Sequence, residues 1–305
     1  MPAPIALFAF NRPKHLARTV ASLSANRLAA DSDLWVFCDG PRRPDDDPLV
    51  REVREVAAGI TGFASVRLVE RAANAGLAAS VMAGVTQLCD SAGRAIVIED
   101  DLVLSPYFLD FVNQGLDRFA DHEQAMQVTG YMFPGVSSGL PESFFTRLPS
   151  SWGWGTWQRA WQTMDVDAES LLRRIRARNL GRSMDLDCAS GYLNMLRVQV
   201  AGQLDSWAIR WYASMLLTGG LALRPARSLA RNAGMDGSGV HCDPTDAFDV
   251  DVAQEPVRRF PEQVEEHAGG VAAIQSFYAS QHVSLARRVL RRLHRSVFAP
   301  DRRPA

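Results

Sequence analysis

The chain has 305 residues, of which 47% are hydrophobic and 22% charged, a balance that suits a folded domain and excludes disorder and collagen-like repeats. The formal net charge is −1, so no global basic field points to nucleic acid. Lys14 is the only lysine; it lies in Arg12-Pro13-Lys14-His15, which excludes a Walker A loop and leaves lysine Schiff-base chemistry with one unpromising residue.

Short apolar runs alternate with amphipathic stretches through the first hundred residues. Ile5 to Phe10 reads as a buried strand, and Lys14 to Ser24 as a helix with Leu16, Val20 and Leu23 on one side. Leu34 to Cys38 predicts a second strand, closed by Asp39-Gly40-Pro41. A charged, proline-containing loop over Arg42–Pro48 precedes a helix over Leu49–Ala58. Val66 to Val69 is a third strand, Leu77 to Leu88 a third helix, and Ala95 to Ile98 a fourth strand running into Glu99-Asp100-Asp101. Strands separated by helices of this length imply βαβ units and a mostly parallel α/β sheet flanked by helices. Ligands of such sheets bind beyond the carboxyl ends of the strands, where Asn11-Arg12, Asp39 and the acidic triplet fall.

After residue 125 the alternation weakens. Gln127 to Tyr131 and Ser143 to Thr146 read as strands, followed by the tryptophan-rich SWGWGTWQRAW. Helices are predicted over Ala168–Arg178, Leu193–Val200 and Ala208–Leu217, a strand over Leu221–Leu223, then the glycine-rich GMDGSGVHC. The expected organisation is one domain over 1–250, with a ligand-binding half to 125 and a catalytic half after it, and a helical extension over 251–305. In that tail Arg287, Arg288, Arg291, Arg292 and Arg295 face away from Leu285, Val289, Leu290, Leu293 and Val297. This suits either a helix on an anionic membrane surface or one packed on the domain with a solvated basic face. The opening MPAPIALFAF has no basic segment before an apolar core, no run approaches the ~20 residues of a membrane span, and the four cysteines show no metal or disulfide spacing. A cytoplasmic location is expected.

Three consecutive carboxylates at the end of a buried strand repel one another. A shared hard cation such as Mn²⁺ or Mg²⁺ relieves that repulsion. The alternative is a solvated acidic turn capping a helix that starts near Ser105-Pro106. Trp152, Trp154, Trp157 and Trp161 fall within ten residues, and Trp207 and Trp211 form an i,i+4 pair. Trp157, Trp161 and Trp211 are expected in the core. Trp152 and Trp154, interleaved with glycine, are candidates for stacking on a sugar. Asp205, just before Ser206-Trp207, reads as a helix N-cap or a catalytic carboxylate. His241 reads as a nucleotide contact or a surface histidine. No GxGxxG follows the first strand, which argues against a dinucleotide cofactor.

In order, FAFNRP, VFCDG, IVIEDDLVLSPYFLDF, SWGWGTW, LDSW and RNAGMDGSGVHC resemble the GT-A-fold glycosyltransferases, in particular the N-acetylglucosaminyltransferase I family and its bacterial polysaccharide-synthesis relatives. The resemblance covers roughly residues 4 to 245. It implies an inverting, Mn²⁺- or Mg²⁺-assisted transfer from a nucleotide-diphosphate sugar, UDP-linked by preference, to a saccharide or lipid-linked acceptor. By this resemblance Asp101 holds the metal and Asp205 is the general base. Arg12, Asp39, Asn74, Glu99, Asp100 and His241 lie on the nucleotide-sugar side, and Trp152, Trp154 and Trp207 contact substrate. Peripheral contact with the inner membrane is a further expectation. The alternatives are a sugar nucleotidyltransferase, which usually opens with a glycine-rich loop and a lysine that FAFNRPKHL does not supply in that form, or a non-catalytic sugar-binding protein on the same fold.

Overall fold

Strand β1 (Ile5–Ala9) is buried at every position, as expected for a central strand with both faces covered. The computed structural model describes residues 1–135, 139–237 and 245–281. Helix α1 (Pro13–Ser24) starts one residue earlier than its apolar spacing implies, because the fixed φ of Pro13 suits a first turn. Then follow β2 (Asp33–Cys38), α2 (Asp47–Ala58), β3 (Ser65–Glu70), α3 (Leu77–Ala92) and β4 (Arg94–Glu99). Gly93, at φ 74°, ends α3 in the left-handed conformation that glycine adopts without strain.

The acidic triplet does not cap a helix. Strand β5 (Leu102–Leu104) intervenes before α4 (Phe108–Arg118), whose N-cap position is Tyr107. Strands β6 (Ala125–Thr129), β7 (Ser143–Thr146) and β8 (Trp154–Trp157) follow, with a short helix α5 (Gln158–Trp161). The remaining helices are α6 (Ala168–Ala177), α7 (Gly181–Met184), α8 (Tyr192–Val200) and α9 (Trp207–Thr218). They lead into β9 (Leu221–Pro225) and β10 (Ala230–Asn232). A last helix, α10, covers 268–281.

Eight strands form one sheet in the order β3-β2-β1-β4-β8-β6-β9-β7. The first four are mutually parallel, β8 is antiparallel to both β4 and β6, and β9 is parallel to β6. From β1 the chain winds outward to β3 and then returns to place β4 on the other side of β1. That reversal creates a crevice beyond the carboxyl ends of β1 and β4. The sheet runs continuously through both sequence halves.

The strand over Trp154–Trp157 carries no β-branched run, yet it sits near the middle of the sheet. Gly155 makes this possible: a Cβ there would lie 2.7 Å from Val112 Cγ1 and 3.1 Å from Leu116 Cδ1, so α4 packs directly on the strand. The glycine serves the core, not a ligand.

One core cluster fills the sheet and its flanking helices from β1 to β9. A second lies among Tyr131–Phe133, α6, α8 and α9, and takes in Ile274 and Phe277 of α10. The chain after 250 returns to the sheet, with Ser105 Oγ donating to the Ala253 carbonyl (2.6 Å) and Phe260 stacking on Phe111. The predicted basic tail over 285–297 lies outside the described residues.

Candidate active site

The carboxyl ends of β1 and β4 bring Arg12 onto the acidic triplet. Its Nη2 donates to Asp101 Oδ2 at 3.0 Å and also bonds Asp100 Oδ1. Arg12, expected on the nucleotide, is thus held by two carboxylates of its own chain. Burial opposes its charge, but the two anions outweigh this and raise its pKa. Asp100 also accepts from the Phe10 amide (3.4 Å). Burial pushes Asp100 up to about 6 despite Arg12. Burial, then Asp101 and Asp100, pushes Glu99 up to about 8. The crevice therefore carries more negative charge than one guanidinium neutralises.

Asp101 Oδ1 is buried and has no hydrogen-bond partner among the described residues. An orphaned carboxylate oxygen is costly where water is excluded. It fits a hard cation that takes one or two carboxylates and completes its shell with substrate phosphate and water. No cluster of three His, Cys, Asp or Glu ligands occurs among the described residues.

The strand pair β5–β10 carries a distant loop to this point. Asn232 pairs with Leu102, and the Ala233 amide donates to the Asp101 carbonyl at 2.8 Å. Gly234 follows so closely that a Cβ there would collide with Asp101 Oδ2 and lie 2.8 Å from Arg12 Nη1. His15 Nε2 sits 3.1 Å from Asp236 Oδ2 and ties α1 to the same loop. His241 lies outside the described residues.

Asp39, at the end of β2, accepts from the backbone amides of Gly40 (3.0 Å), Ala75 (2.9 Å) and Gly76 (3.0 Å). Asn74 Nδ2 donates to the Gly40 carbonyl at 2.9 Å. A Cβ on Gly40 would lie 2.5 Å from the Ala73 carbonyl carbon. These contacts fix the 73–76 loop against β2 and set the rim of the crevice. Asp39 and Asn74, two of the expected nucleotide contacts, are therefore engaged in holding that loop.

Asp205 is not the cap of α9. Ser206 takes that position, its side chain accepting from the Ile209 amide. Asp205 stays largely exposed, with Oδ1 receiving Arg210 Nη2 at 2.7 Å. Helix α9 runs back into β9, which is parallel to β6, so its N-terminus and Asp205 stand at the carboxyl edge of the sheet, as the acidic triplet does.

Beside the N-terminus of α9 lies a cavity of about 400 Å³ lined by Tyr131, Trp152, Tyr192, Trp207, Trp211 and Tyr278, among others. Met235, one residue beyond the glycine against Asp101, also lines it. Trp152 meets Tyr131 edge-on at 4.4 Å. Trp154 is a correction: its ring is wholly buried, stacked on Trp207 at 5.1 Å and tilted against Trp161 at 5.8 Å, so no sugar reaches it. Trp207 turns one face to Trp154 and still contributes to the cavity wall. Trp157, Trp161 and Trp211 are buried as expected.

Sequence reasoning missed Arg224. This fully buried arginine of β9 donates from Nε to Thr146 Oγ1 (2.9 Å) and from Nη2 to the Leu148 carbonyl. Among the described residues no carboxylate pairs with it, and Nη1 has no partner. Burial pulls its pKa down to about 10, opposed in the largest part by Tyr192 and Tyr278. An arginine in an apolar strand near a proline gives no sequence signal of this kind.

No family model and no curated protein matches the chain. Solved structures do align with it. A mannosyltransferase from Pyrobaculum calidifontis, in complex with GDP-Man and Mn²⁺, is 12% identical over 71% of this chain and 74% of its own, with a TM-score of 0.36. S. aureus TarS (residues 1–349) is 8% identical over 76% of this chain and 61% of its own, with a TM-score of 0.42. The galactosyltransferase LgtC, with donor and acceptor sugar analogs, is 11% identical over 72% of each chain, with a TM-score of 0.37.

Proposed function

We propose that this protein is a GT-A-type glycosyltransferase. It transfers a sugar, with inversion, from a nucleotide-diphosphate sugar to a saccharide or lipid-linked acceptor, with help from Mn²⁺ or Mg²⁺. The observation that carries the reading is the orphaned Oδ1 of Asp101 in the β1–β4 crevice, one loop turn from an aromatic cavity. The ordered series of sequence motifs supports it. UDP-sugars are the preferred donors on that resemblance, and assembly of bacterial surface polysaccharide at the cytoplasmic face of the inner membrane is the setting it implies.

In this reading the donor lies in the crevice, with its base and ribose against the rim built by Asp39 and Asn74. Asp101 holds the cation, and Arg12 keeps the Asp100 and Asp101 carboxylates in place. A divalent ion bound there would supply Lewis-acid stabilisation of the leaving diphosphate. The acceptor enters the cavity with a sugar face on Trp152 or Trp207. Its hydroxyl attacks the anomeric carbon as the bond to the diphosphate breaks, and Asp205 takes the hydroxyl proton. Arg210 restrains one oxygen of that carboxylate and leaves the other for the proton.

A thermal-shift screen of UDP-, GDP- and dTDP-sugars with Mn²⁺ or with chelator tests the reading. A ligand that binds only the folded state raises the melting temperature by mass action. Stabilisation by one donor in Mn²⁺ but not in chelator is expected; no stabilisation by any donor would contradict it.

A further inference from the structure

The wall of the aromatic cavity holds buried polar groups that no other described residue satisfies. Trp211 lines it, and its indole Nε1 is buried with no partner among the described residues. Ser190 lines it too, and its hydroxyl is likewise buried and unpartnered. Tyr192 and Tyr278 face each other with their hydroxyl oxygens 2.6 Å apart. One of these phenols donates to the other, which leaves the second O–H with no acceptor among the described residues. Behind the wall stands Arg224, fully buried, with no carboxylate partner among the described residues and with Nη2 donating to the carbonyl of Leu148, itself a lining residue. Phe133, another lining residue, lies under its guanidinium at 6.0 Å.

An orphaned donor and an uncompensated cation both disfavour the empty state. The group that corrects both is one that brings acceptors, no donors and negative charge. Among substituents carried by sugars, a carboxylate does this. A hydroxyl or an acetamido group offers acceptors too, but no charge to set against Arg224. The size suits the same class, since cavities of a few hundred Å³ take small ligands, and the rings offer faces for a pyranose.

We propose that the cavity is selective for an acidic sugar: a pyranose whose carboxylate seats near the Tyr192–Tyr278 pair, in the field of Arg224. The inference deepens the proposed function, because it takes the cavity as the acceptor site and assigns the acceptor's chemistry.

Binding of methyl β-D-glucuronide and methyl β-D-glucoside to the full chain, without donor or metal, tests it through the fluorescence of the lining tryptophans. The glucuronide is expected to bind about tenfold tighter or better, the scale of one charge-assisted hydrogen bond. Tyr278→Phe and Trp211→Phe each keep a ring and delete a donor, and each is expected to shrink that preference several-fold. Arg224→Gln should abolish it; if that variant fails to fold, the two Phe variants carry the test. Equal affinity for the two glycosides, no binding of either, or a preference that survives both Phe variants would overturn the proposal. Glucuronide binding without any donor binding would instead sink the transferase reading and leave the cavity assignment standing.

Discussion

Arg12 and Asp101, 89 positions apart in the chain, meet at 3.0 Å through Nη2 and Oδ2, and the glycine of a third segment, Gly234, closes over both. The contact fixes one oxygen of Asp101 and leaves the other without a partner among the described residues. Gly234→Ala is expected to displace the Asp101 carboxylate while leaving the core untouched. Cation-dependent donor binding should weaken, with the melting temperature nearly unchanged. An alanine variant that binds donor normally would show that Asp101 does not need this position.

Gly155→Ala should behave in the opposite way. Its Cβ would press on Val112 and Leu116, and overpacking of this kind costs about 1–3 kcal/mol. Chemical denaturation should show that loss, with donor affinity preserved in the protein that remains folded. No loss of stability would mean that α4 yields more easily than its packing implies.

Asp205 and Arg210 form an ion pair at 2.7 Å on an exposed carboxylate, the kind of pair that contributes about 0–1 kcal/mol to stability. Asp205→Asn should therefore fold normally and bind donor normally. Transfer should fall by roughly 10²–10⁴, the range for losing a general base. Single-turnover rates beside donor affinity separate the two effects; full activity would remove Asp205 from the chemistry.

The triplet makes stability depend on pH. Glu99 at about 8 and Asp100 at about 6 sit above exposed carboxyls, so the folded chain retains protons that the unfolded chain has released. Their stabilising contribution is complete below pH ~4, where the unfolded carboxyls are also protonated, and is lost as pH rises through 6 and then 8. In chelator the denaturation midpoint should fall over that window, and Glu99→Gln should flatten the upper part. Mn²⁺ favours the ionised forms, so its uptake should release protons and tighten with pH. A flat profile in chelator would contradict the charge balance described here.

The parallel half of the sheet was legible because its strands are unbroken apolar runs such as Ile5–Ala9, flanked by helices with one apolar side. Three strands were not. Leu102–Leu104 and Ala230–Asn232 are too short to show a period, and Trp154–Trp157 carries a glycine where a β-branched residue would mark a strand. At the site, the residue types at the strand ends pointed to the crevice, but their partners did not follow from spacing. Asp39 is held by amides from Ala75 and Gly76, and Arg12 by carboxylates across the switch point. The cavity draws on segments from Tyr131 to Tyr278, so its lining exists only in three dimensions. Trp154 misled because alternation with glycine serves close helix packing as readily as ligand access.

Calorimetry of the stabilising nucleotide sugar against the native chain and Asp101→Asn, each with Mn²⁺ and with chelator, tests the central claim most directly. The native chain should bind about tenfold tighter or better with Mn²⁺, the scale of a lost charged ligand contact. The Asn variant, equally folded, should bind weakly and alike in both conditions. Undiminished, Mn²⁺-enhanced binding by Asp101→Asn would contradict the assignment of Asp101 as the residue that holds the cation.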